Sequence, residues 1–167
     1  RASGGTPREF CTITVTDGIA MGHEGMKSSL ISREVIADST ELTVRGHCYD
    51  ALVGIAGCDK SLPALMMAMV RLNVPSVFIY GGSILPGQYK GKDVTVVDVF
   101  EAVGKHSAGK MSAKELRKLE LVACPSAGAC GGQFTANTMA CVSEAIGLAL
   151  PYSAGTPAPY EERDKYA

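Results

Sequence analysis

The chain has 167 residues, a formal net charge of −1 and 46% hydrophobic residues, which suits one domain with a sizeable core. A charge so close to zero gives no electrostatic basis for binding nucleic acid or an anionic membrane surface. No apolar run approaches the roughly 20 residues that a membrane span needs, and residues 1–7 lack the apolar core of a secretory signal. We therefore expect a soluble protein of the cytoplasm, or of an organelle matrix in a eukaryote.

Six cysteines lie scattered beside glycines and apolar segments. This distribution does not indicate a small disulfide-bonded scaffold, and it favours a reducing compartment. We expect Cys11, Cys48 and Cys141 to be buried free thiols that pack as small hydrophobic side chains. For Cys141 the surrounding apolar helical pattern supports core packing.

Segments with strand character alternate with helical patterns along the chain. Ser112 and Glu115 form a capping-box pattern at the start of a charged surface helix. Residues 94–103 begin with strand character and become a helix. The remaining predicted strands cover residues 12–15, 51–56 and 76–80, and the predicted helices cover residues 29–39, 65–70, 112–121 and 135–148. This repetition predicts the α/β class, with a mostly parallel sheet and helices on both of its faces.

Polar and reactive side chains follow the predicted strand at residues 51–56. Cys58, Asp59 and Lys60 stand side by side there, and Pro63 is tolerated in the first turn of the helix that follows. Open α/β sheets build their sites at the carboxyl ends of strands. A thiol, a carboxylate and an amine at such a place indicate a metal site.

A second segment, residues 123–134, contains Cys124 and Cys130 among glycine, alanine and serine. Small residues let the backbone approach a bulky ligand, and the helix that follows offers amide donors and favours a thiolate. Thiolates bind soft metals and iron–sulfur clusters. The C-x5-C spacing is not that of a zinc-finger pair. The alternative is a tight glycine turn with an inert cysteine.

A third segment begins at Asp17, which follows the predicted strand at residues 12–15 and precedes Gly18. The Asp17 carboxylate can therefore reach the same sheet edge as Cys58, where hard oxygen ligands would suit Mg²⁺. Alternatively, Asp17 caps an Asp-Gly turn. His23 and Glu24 are capable of binding metal, but a solvated polar loop explains them equally well.

Together these three segments resemble the dihydroxy-acid dehydratase family, which includes the sugar-acid dehydratases. The resemblance extends from about residue 10 to residue 167, and the block that begins at Cys58 is highly specific to that family. It implies that Cys58 and Cys130 bind an iron–sulfur cluster, with a [2Fe–2S] cluster favoured over a [4Fe–4S] cluster.

The same resemblance implies that Asp17, Asp59 and Lys60 bind Mg²⁺, with the lysine carbamylated. Carbamylation is physically reasonable, because a cationic lysine near a helix N-terminus is unfavourable, whereas an oxygen anion suits both the helix dipole and the metal. An unmodified surface lysine is the alternative.

The implied reaction removes water from a 2,3-dihydroxy acid to give a 2-oxo acid. Iron of the cluster would act as a Lewis acid on the departing 3-hydroxyl, while Mg²⁺ would hold the carboxylate and the 2-hydroxyl. Residues 81–87 and 124–132 resemble those of the enzyme of valine and isoleucine biosynthesis. We therefore favour that enzyme over the dehydratases of sugar acids such as aldonates or phosphogluconate.

Residues 1–167 then form part of the N-terminal cluster- and magnesium-binding domain of a longer protein, which is expected to be a homodimer. In the family, a third cluster cysteine lies upstream, and the serine base and a further acidic ligand lie in a second domain. We therefore expect no catalytic base in this chain and no activity from it alone. Cys124 is a poor substitute for the third cysteine, and Ala64 and Ser126 replace glycines with little expected effect.

Two other interpretations remain open at this point. The chain could be a non-catalytic α/β module that keeps only the fold. Alternatively, the glycine-rich loop after Cys124 could cradle a phosphate, although the G-x-x-x-x-G-K-[ST] pattern is absent.

Overall fold

The computed structural model describes residues 1–166. Two 3-10 helices cover Glu24–Ser28 and Glu161–Tyr166. The α-helices are α1 (Asp17–Ala20), α2 (Ser29–Gly46), α3 (Ser61–Leu72), α4 (Val96–Ser107), α5 (Ala113–Ala123) and α6 (Thr135–Ala145), and the strands are β1 (Leu52–Ala56), β2 (Ser76–Tyr80), β3 (Gly87–Tyr89) and β4 (Lys92–Val94). Strands β1 and β2 pair in parallel, and β3 and β4 pair antiparallel. The predicted α/β class with a parallel sheet flanked by helices is confirmed.

The β1–α3–β2 unit is the centre of the main core. Its register places Gly54 opposite Phe78 and Ala56 opposite Tyr80. A Cβ on Gly54 would lie 2.5 Å from Met69 Cε, so the glycine lets α3 pack closely against β1. The buried members of this core include Leu52, Leu62, Phe78, Tyr80, Ala136 and Ala140. Because β1 and β2 are parallel, their carboxyl ends lie at one edge of the sheet.

Helix α3 forms as the sequence predicts, with Pro63 in its first turn. Most of the apolar side chains of α3 are buried, and the helix ends at Asn73, which adopts the left-handed conformation at φ 52. Helix α2 packs on the outside of α3, where Ile36 and Ala37 contact Ala64 in a small second core.

A third core lies between α4 and α5. Thr95 and Asp98 form a reciprocal capping box at the start of α4, and Ser112 Oγ accepts the Glu115 N–H at 3.2 Å at the start of α5. The sequence did not predict the β3–β4 hairpin. Its strands have three residues each, and its turn uses positive φ at Lys90 and Gly91.

The predicted strand at residues 12–15 is wrong, because the segment forms no ladder of backbone hydrogen bonds. Ile13 is 50% exposed, and Thr12 Oγ1 is hydrogen-bonded to Ser39 Oγ of α2 at 2.6 Å. Alternation over four residues does not make a strand without a paired neighbour.

The expected burial of Cys11, Cys48 and Cys141 is also wrong, because all three are exposed. Cys11 lies in the extended segment before α1, and Cys48 follows the end of α2. Cys141 is on the outer side of α6, whose inner side presents the smaller Ala136 and Ala140 to the core. The apolar pattern around Cys141 therefore did not show which face of α6 packs against the core.

Within residues 1–166, no helix combines the length and the apolar composition required to cross a membrane.

Candidate metal and cluster site

The turn between β1 and α3 carries the first predicted site residues. The Ser61 hydroxyl accepts the Cys58 N–H at 3.2 Å and lies 3.1 Å from the Cys58 carbonyl oxygen, to which it can donate. The Leu62 N–H donates to the same carbonyl oxygen at 3.0 Å. These bonds fix the backbone at the carboxyl end of β1, where the sequence predicted the site. Sequence reasoning did not identify the role of Ser61.

The structure brings together the three predicted magnesium ligands. Lys60 Nζ donates to Asp17 Oδ2 at 2.9 Å and also to Asp59 Oδ2. The side chains of Lys60, Asp17 and Asp59 are only 15%, 20% and 14% exposed. Two carboxylates from segments 42 residues apart in sequence thus share one cation.

Ser29 is a member of this group that the sequence analysis missed. It is the first residue of α2 and is 1% exposed, and its hydroxyl donates to Asp17 Oδ1. Its position at the start of a helix gave no sign that it would contact a carboxylate from the preceding loop.

The opposite charges in this group favour the ionised forms of Asp17 and Lys60. Burial raises the pKa of Asp17, but hydrogen bonds from Ser29 and Lys60, together with the Lys60 charge, outweigh burial and lower that pKa below its ordinary value. Burial lowers the pKa of Lys60, whereas hydrogen bonds to Asp59 and Asp17 and their charges raise it overall. Without a metal, the group is therefore two carboxylates held by one ammonium.

The Cys58 thiol adjoins the same group. Cys58 Sγ lies 3.2 Å from Asp59 Oδ1, to which it donates, and 3.9 Å from the Val15 carbonyl oxygen. Asp59 therefore contacts the thiol with one oxygen and Lys60 with the other. A soft sulfur atom and hard carboxylate oxygen atoms are therefore adjacent at Asp59.

The loop that carries Cys130 packs over the same edge of the sheet. The Ala129 N–H donates to the Gly82 carbonyl oxygen at 2.7 Å, and the Ile84 N–H donates to the Cys130 carbonyl oxygen at 2.9 Å. A Cβ on Gly57 would lie 2.9 Å from Ala129 Cβ. The residues that precede Cys58 and Cys130 are thus in contact, and both cysteines are half-buried free thiols.

Cys124 lies near Cys130 but is more exposed. A Cβ added to Gly131, the residue after Cys130, would lie 3.6 Å from the Cys124 Sγ. Burial, and then the charge of Cys130, raise the pKa of Cys124. A raised pKa disfavours the thiolate form of Cys124.

Tyr80 and Arg163 meet at the carboxyl end of β2, and the sequence analysis identified neither. Tyr80 is the last residue of β2 and is 1% exposed. Burial and the charge of Cys130 raise the pKa of Tyr80 to about 12, against opposing effects of Arg163 and Asn137. Arg163 donates to the backbone carbonyl oxygens of Tyr80 and Thr156.

His23 and Glu24 do not join the group. His23 Nδ1 accepts the Gly25 N–H at 3.0 Å and thereby caps the first 3-10 helix, while Glu24 pairs with Lys27 on the surface. The solvated-loop interpretation of these residues holds.

The donor chemistry fits both expected groups. Mg²⁺ prefers carboxylate and other hard oxygen ligands, and Asp17 and Asp59 converge on one positive charge. Thiolates suit iron–sulfur clusters, and the loops of Cys58 and Cys130 meet. Within residues 1–166, no three or more His, Cys, Asp and Glu side chains are grouped as ligands of one metal ion.

Comparison with known proteins shows the family to which the chain belongs. The family model described as dihydroxy-acid/6-phosphogluconate dehydratase N-terminal matches residues 1–167. A protein of Parvibaculum lavamentivorans named dihydroxy-acid dehydratase is 83% identical over 167 residues, which are 100% of this chain and 29% of that protein. Proteins of the same name are 63% identical in Natronomonas pharaonis and 58% identical in Metallosphaera sedula, over 99% and 100% of this chain and 28% and 30% of those proteins. The chain therefore spans about 29% of the length of the curated relatives that it matches.

Proposed function

We propose that this chain, which belongs to the dihydroxy-acid/6-phosphogluconate dehydratase family, supplies the metal-binding part of a hydro-lyase. That hydro-lyase converts a 2,3-dihydroxy acid into a 2-oxo acid. The reaction loses the proton on C2 and the hydroxyl on C3 as one water molecule. One observation carries the proposal. Asp59 contacts the Cys58 thiol with one oxygen and Lys60 with the other, so ligands for a soft and a hard metal adjoin each other.

Mg²⁺ and an iron–sulfur cluster, when bound, would supply Lewis acids to the carboxylate and hydroxyl oxygens of the substrate. The residues of this chain hold and orient these groups. Asp17 and Asp59 provide oxygen ligands for Mg²⁺, and Ser29 orients the Asp17 carboxylate. Cys58 and Cys130 provide thiolates for the cluster, for which we favour the [2Fe–2S] form.

Lys60 has to change its charge for this arrangement to bind Mg²⁺. Its ammonium lies between the two carboxylates, where it would repel a divalent cation. Carbamylation of Nζ would remove the positive charge and add two oxygen atoms at the same place. The position of Lys60 Nζ between Asp17 and Asp59 supports Lys60 as a further oxygen ligand in its carbamylated form.

We propose a branched 2,3-dihydroxy acid of valine and isoleucine biosynthesis as the substrate. The support is that relatives from 83% to 58% identity carry the name dihydroxy-acid dehydratase. A sugar acid is the second candidate, because the matching family model also names 6-phosphogluconate dehydratase. Turnover of the two substrate types, compared in the complete polypeptide that contains these residues, separates the candidates.

Anaerobic reconstitution with Fe²⁺ and sulfide tests the cluster. Bound iron and sulfide and the visible absorbance of a cluster are expected for the unmodified protein, and both are expected to fall sharply in Cys58→Ser and Cys130→Ser. Cys48→Ser is the matched control, because Cys48 is an exposed thiol at the amino end of β1. No uptake by the complete polypeptide that contains these residues would favour a non-catalytic module instead.

Measurement of 2-oxo acid formation tests the magnesium group separately. Asp59→Asn is expected to retain the iron–sulfur absorbance and to lose Mg²⁺-dependent turnover in the complete polypeptide. We expect residues 1–167 alone to show no turnover, even with a cluster bound. Measurable 2-oxo acid formed by these residues alone would overturn the expectation that the base lies outside them.

A further inference from the structure

Strand β1 pairs on one side only, and its partner among residues 1–166 is β2. Leu52 donates its N–H to the Pro75 carbonyl oxygen at 3.0 Å, and the Ala56 carbonyl oxygen accepts a hydrogen bond on the same side. The peptide groups of successive residues in a strand point to opposite sides. Those of Val53 and Ile55 therefore point away from β2, where they form the free edge of β1.

The free edge of β1 lacks the features that keep an edge strand from pairing. Natural edge strands carry charged side chains, proline or a bulge for this purpose, whereas β1 has the sequence Leu-Val-Gly-Ile-Ala. The side chains of Val53 and Ile55 are 59% and 69% exposed. Parallel sheets are normally buried on both faces, and two strands are too few for an independently stable sheet. The free edge thus has the character of an inner strand.

A cavity of about 1020 Å³ lies along the free edge. All residues from 51 to 58 line it, together with residues 5–12 of the segment before α1. That segment contacts other parts of the chain instead of pairing with β1. Thr12 Oγ1 lies 2.6 Å from Ser39 Oγ of α2, and the ring centroids of Phe10 and Tyr49 are 6.4 Å apart. A space that follows every residue of one strand has the shape of an extended chain.

We propose that an extended segment of the complete polypeptide, from outside residues 1–167, pairs with the free edge of β1 as a third strand. The chain spans only 29% of the length of a relative that is 83% identical to it, so a complete polypeptide of that length has ample chain to supply the strand. This inference does not depend on the proposed function.

A strand suits this place better than a helix does. The peptide groups of Val53 and Ile55 need N–H and C=O partners at the spacing of a neighbouring strand, and extended backbone supplies them. A helix has already used its own peptide groups. Cys58 lines the same cavity, so the added strand would also border the candidate site.

Hydrogen exchange in the unmodified complete polypeptide tests the pairing without a variant. The Leu52 N–H, which donates to Pro75, is the internal reference. We expect the amides of Val53 and Ile55 to exchange within about 10-fold of the Leu52 rate, because all three would then belong to the same hydrogen-bonded sheet. Faster exchange of these two amides would overturn the proposal.

Replacement of Ile55 by proline tests the backbone contact in the same polypeptide. Proline is tolerated in an edge strand where the lost N–H faces solvent, and it is not tolerated between two paired strands. We therefore expect Ile55→Pro to unfold at a much lower urea concentration than Ile55→Val, the matched control that keeps the N–H and the apolar side chain. Equal urea midpoints would overturn the proposal. If Ile55→Pro does not fold, the exchange rates of the unmodified protein still decide.

Photo-cross-linking from benzoylphenylalanine in place of Val53 identifies the occupant. We expect a cross-link within one polypeptide, to a segment outside residues 1–167. A cross-link between two polypeptides would assign the free edge to a second copy, and a cross-link to residues 5–16 would assign it to the segment before α1. Either result, or no cross-link, would overturn the proposal. Failure of the proposed function looks different, because the complete polypeptide would then take up no cluster whatever the exchange rates in β1.

Discussion

Replacement of Gly57 by alanine is a direct test of the contact between the two cysteine loops. The added Cβ would lie 2.9 Å from Ala129 Cβ, whereas carbon atoms in ordinary contact are about 3.5–4.0 Å apart. The loops therefore have to separate by about 0.6–1 Å. Gly57 is not among the residues with positive φ, so the backbone accepts alanine and the penalty comes from the contact alone. Overpacking of this kind costs about 1–3 kcal/mol of unfolding free energy.

The separation also moves the Cys130 loop away from Cys58. We therefore expect Gly57→Ala to unfold at lower urea concentration and to retain less iron and sulfide after reconstitution. Ala129→Gly in the same chain removes the opposing methyl group and should restore most of both losses. The coupling energy of the two changes, obtained from a double-mutant cycle, should then account for most of the destabilisation. Gly155→Ala is the control, because a Cβ there meets no atom within 4 Å and Gly155 lies outside the helices and strands.

Two results would refute this reasoning. Full cluster retention and unchanged stability in Gly57→Ala would mean that the loops are not held at this contact. A loss that Ala129→Gly does not relieve would mean that alanine acts at Gly57 through some effect other than the opposing methyl group.

Two further predictions concern Asp17. Ser29→Ala should weaken Mg²⁺ binding about 10–100-fold, measured by titration calorimetry. Ser32→Ala should not weaken it, since the Ser32 hydroxyl donates to the Ser29 carbonyl oxygen and, within residues 1–166, to no carboxylate. Equal affinities in both variants would contradict a role for the Ser29 hydroxyl. The folded state lowers the pKa of Asp17 below 3.8. Ionised Asp17 therefore stabilises the folded state above pH 3.8, and this stabilisation is lost as the pH falls through the lower native pKa. In the metal-free protein, the urea concentration at the unfolding midpoint should therefore fall less steeply with decreasing pH in Asp17→Asn than in the unmodified chain. An equal dependence of the midpoint on pH in both would contradict the hydrogen bonds assigned to Asp17.

The central unit of the fold could be predicted because its signals are local. Apolar and β-branched residues define β1 and β2, and Pro63 followed by an apolar run defines α3. The β3–β4 hairpin gave no comparable signal, because its strands have only three residues each. The exposure of Cys141 could not be read from its helix either. Which side of α6 faces the core depends on the match between Ala140 and the sheet, which is a tertiary property.

Asp17 lies near the predicted sheet edge, but not for the reason that the sequence analysis gave. The sequence analysis placed this carboxylate at the sheet edge because a strand was expected at residues 12–15, and that strand does not form. Asp17 reaches the edge because Ser29 and Lys60 hold it there from α2 and from the β1–α3 turn. A hydroxyl 12 residues away and an amine 43 residues away leave no local pattern. The residue types of the candidate site could thus be predicted from the sequence, whereas the contacts that orient Asp17 required the folded chain.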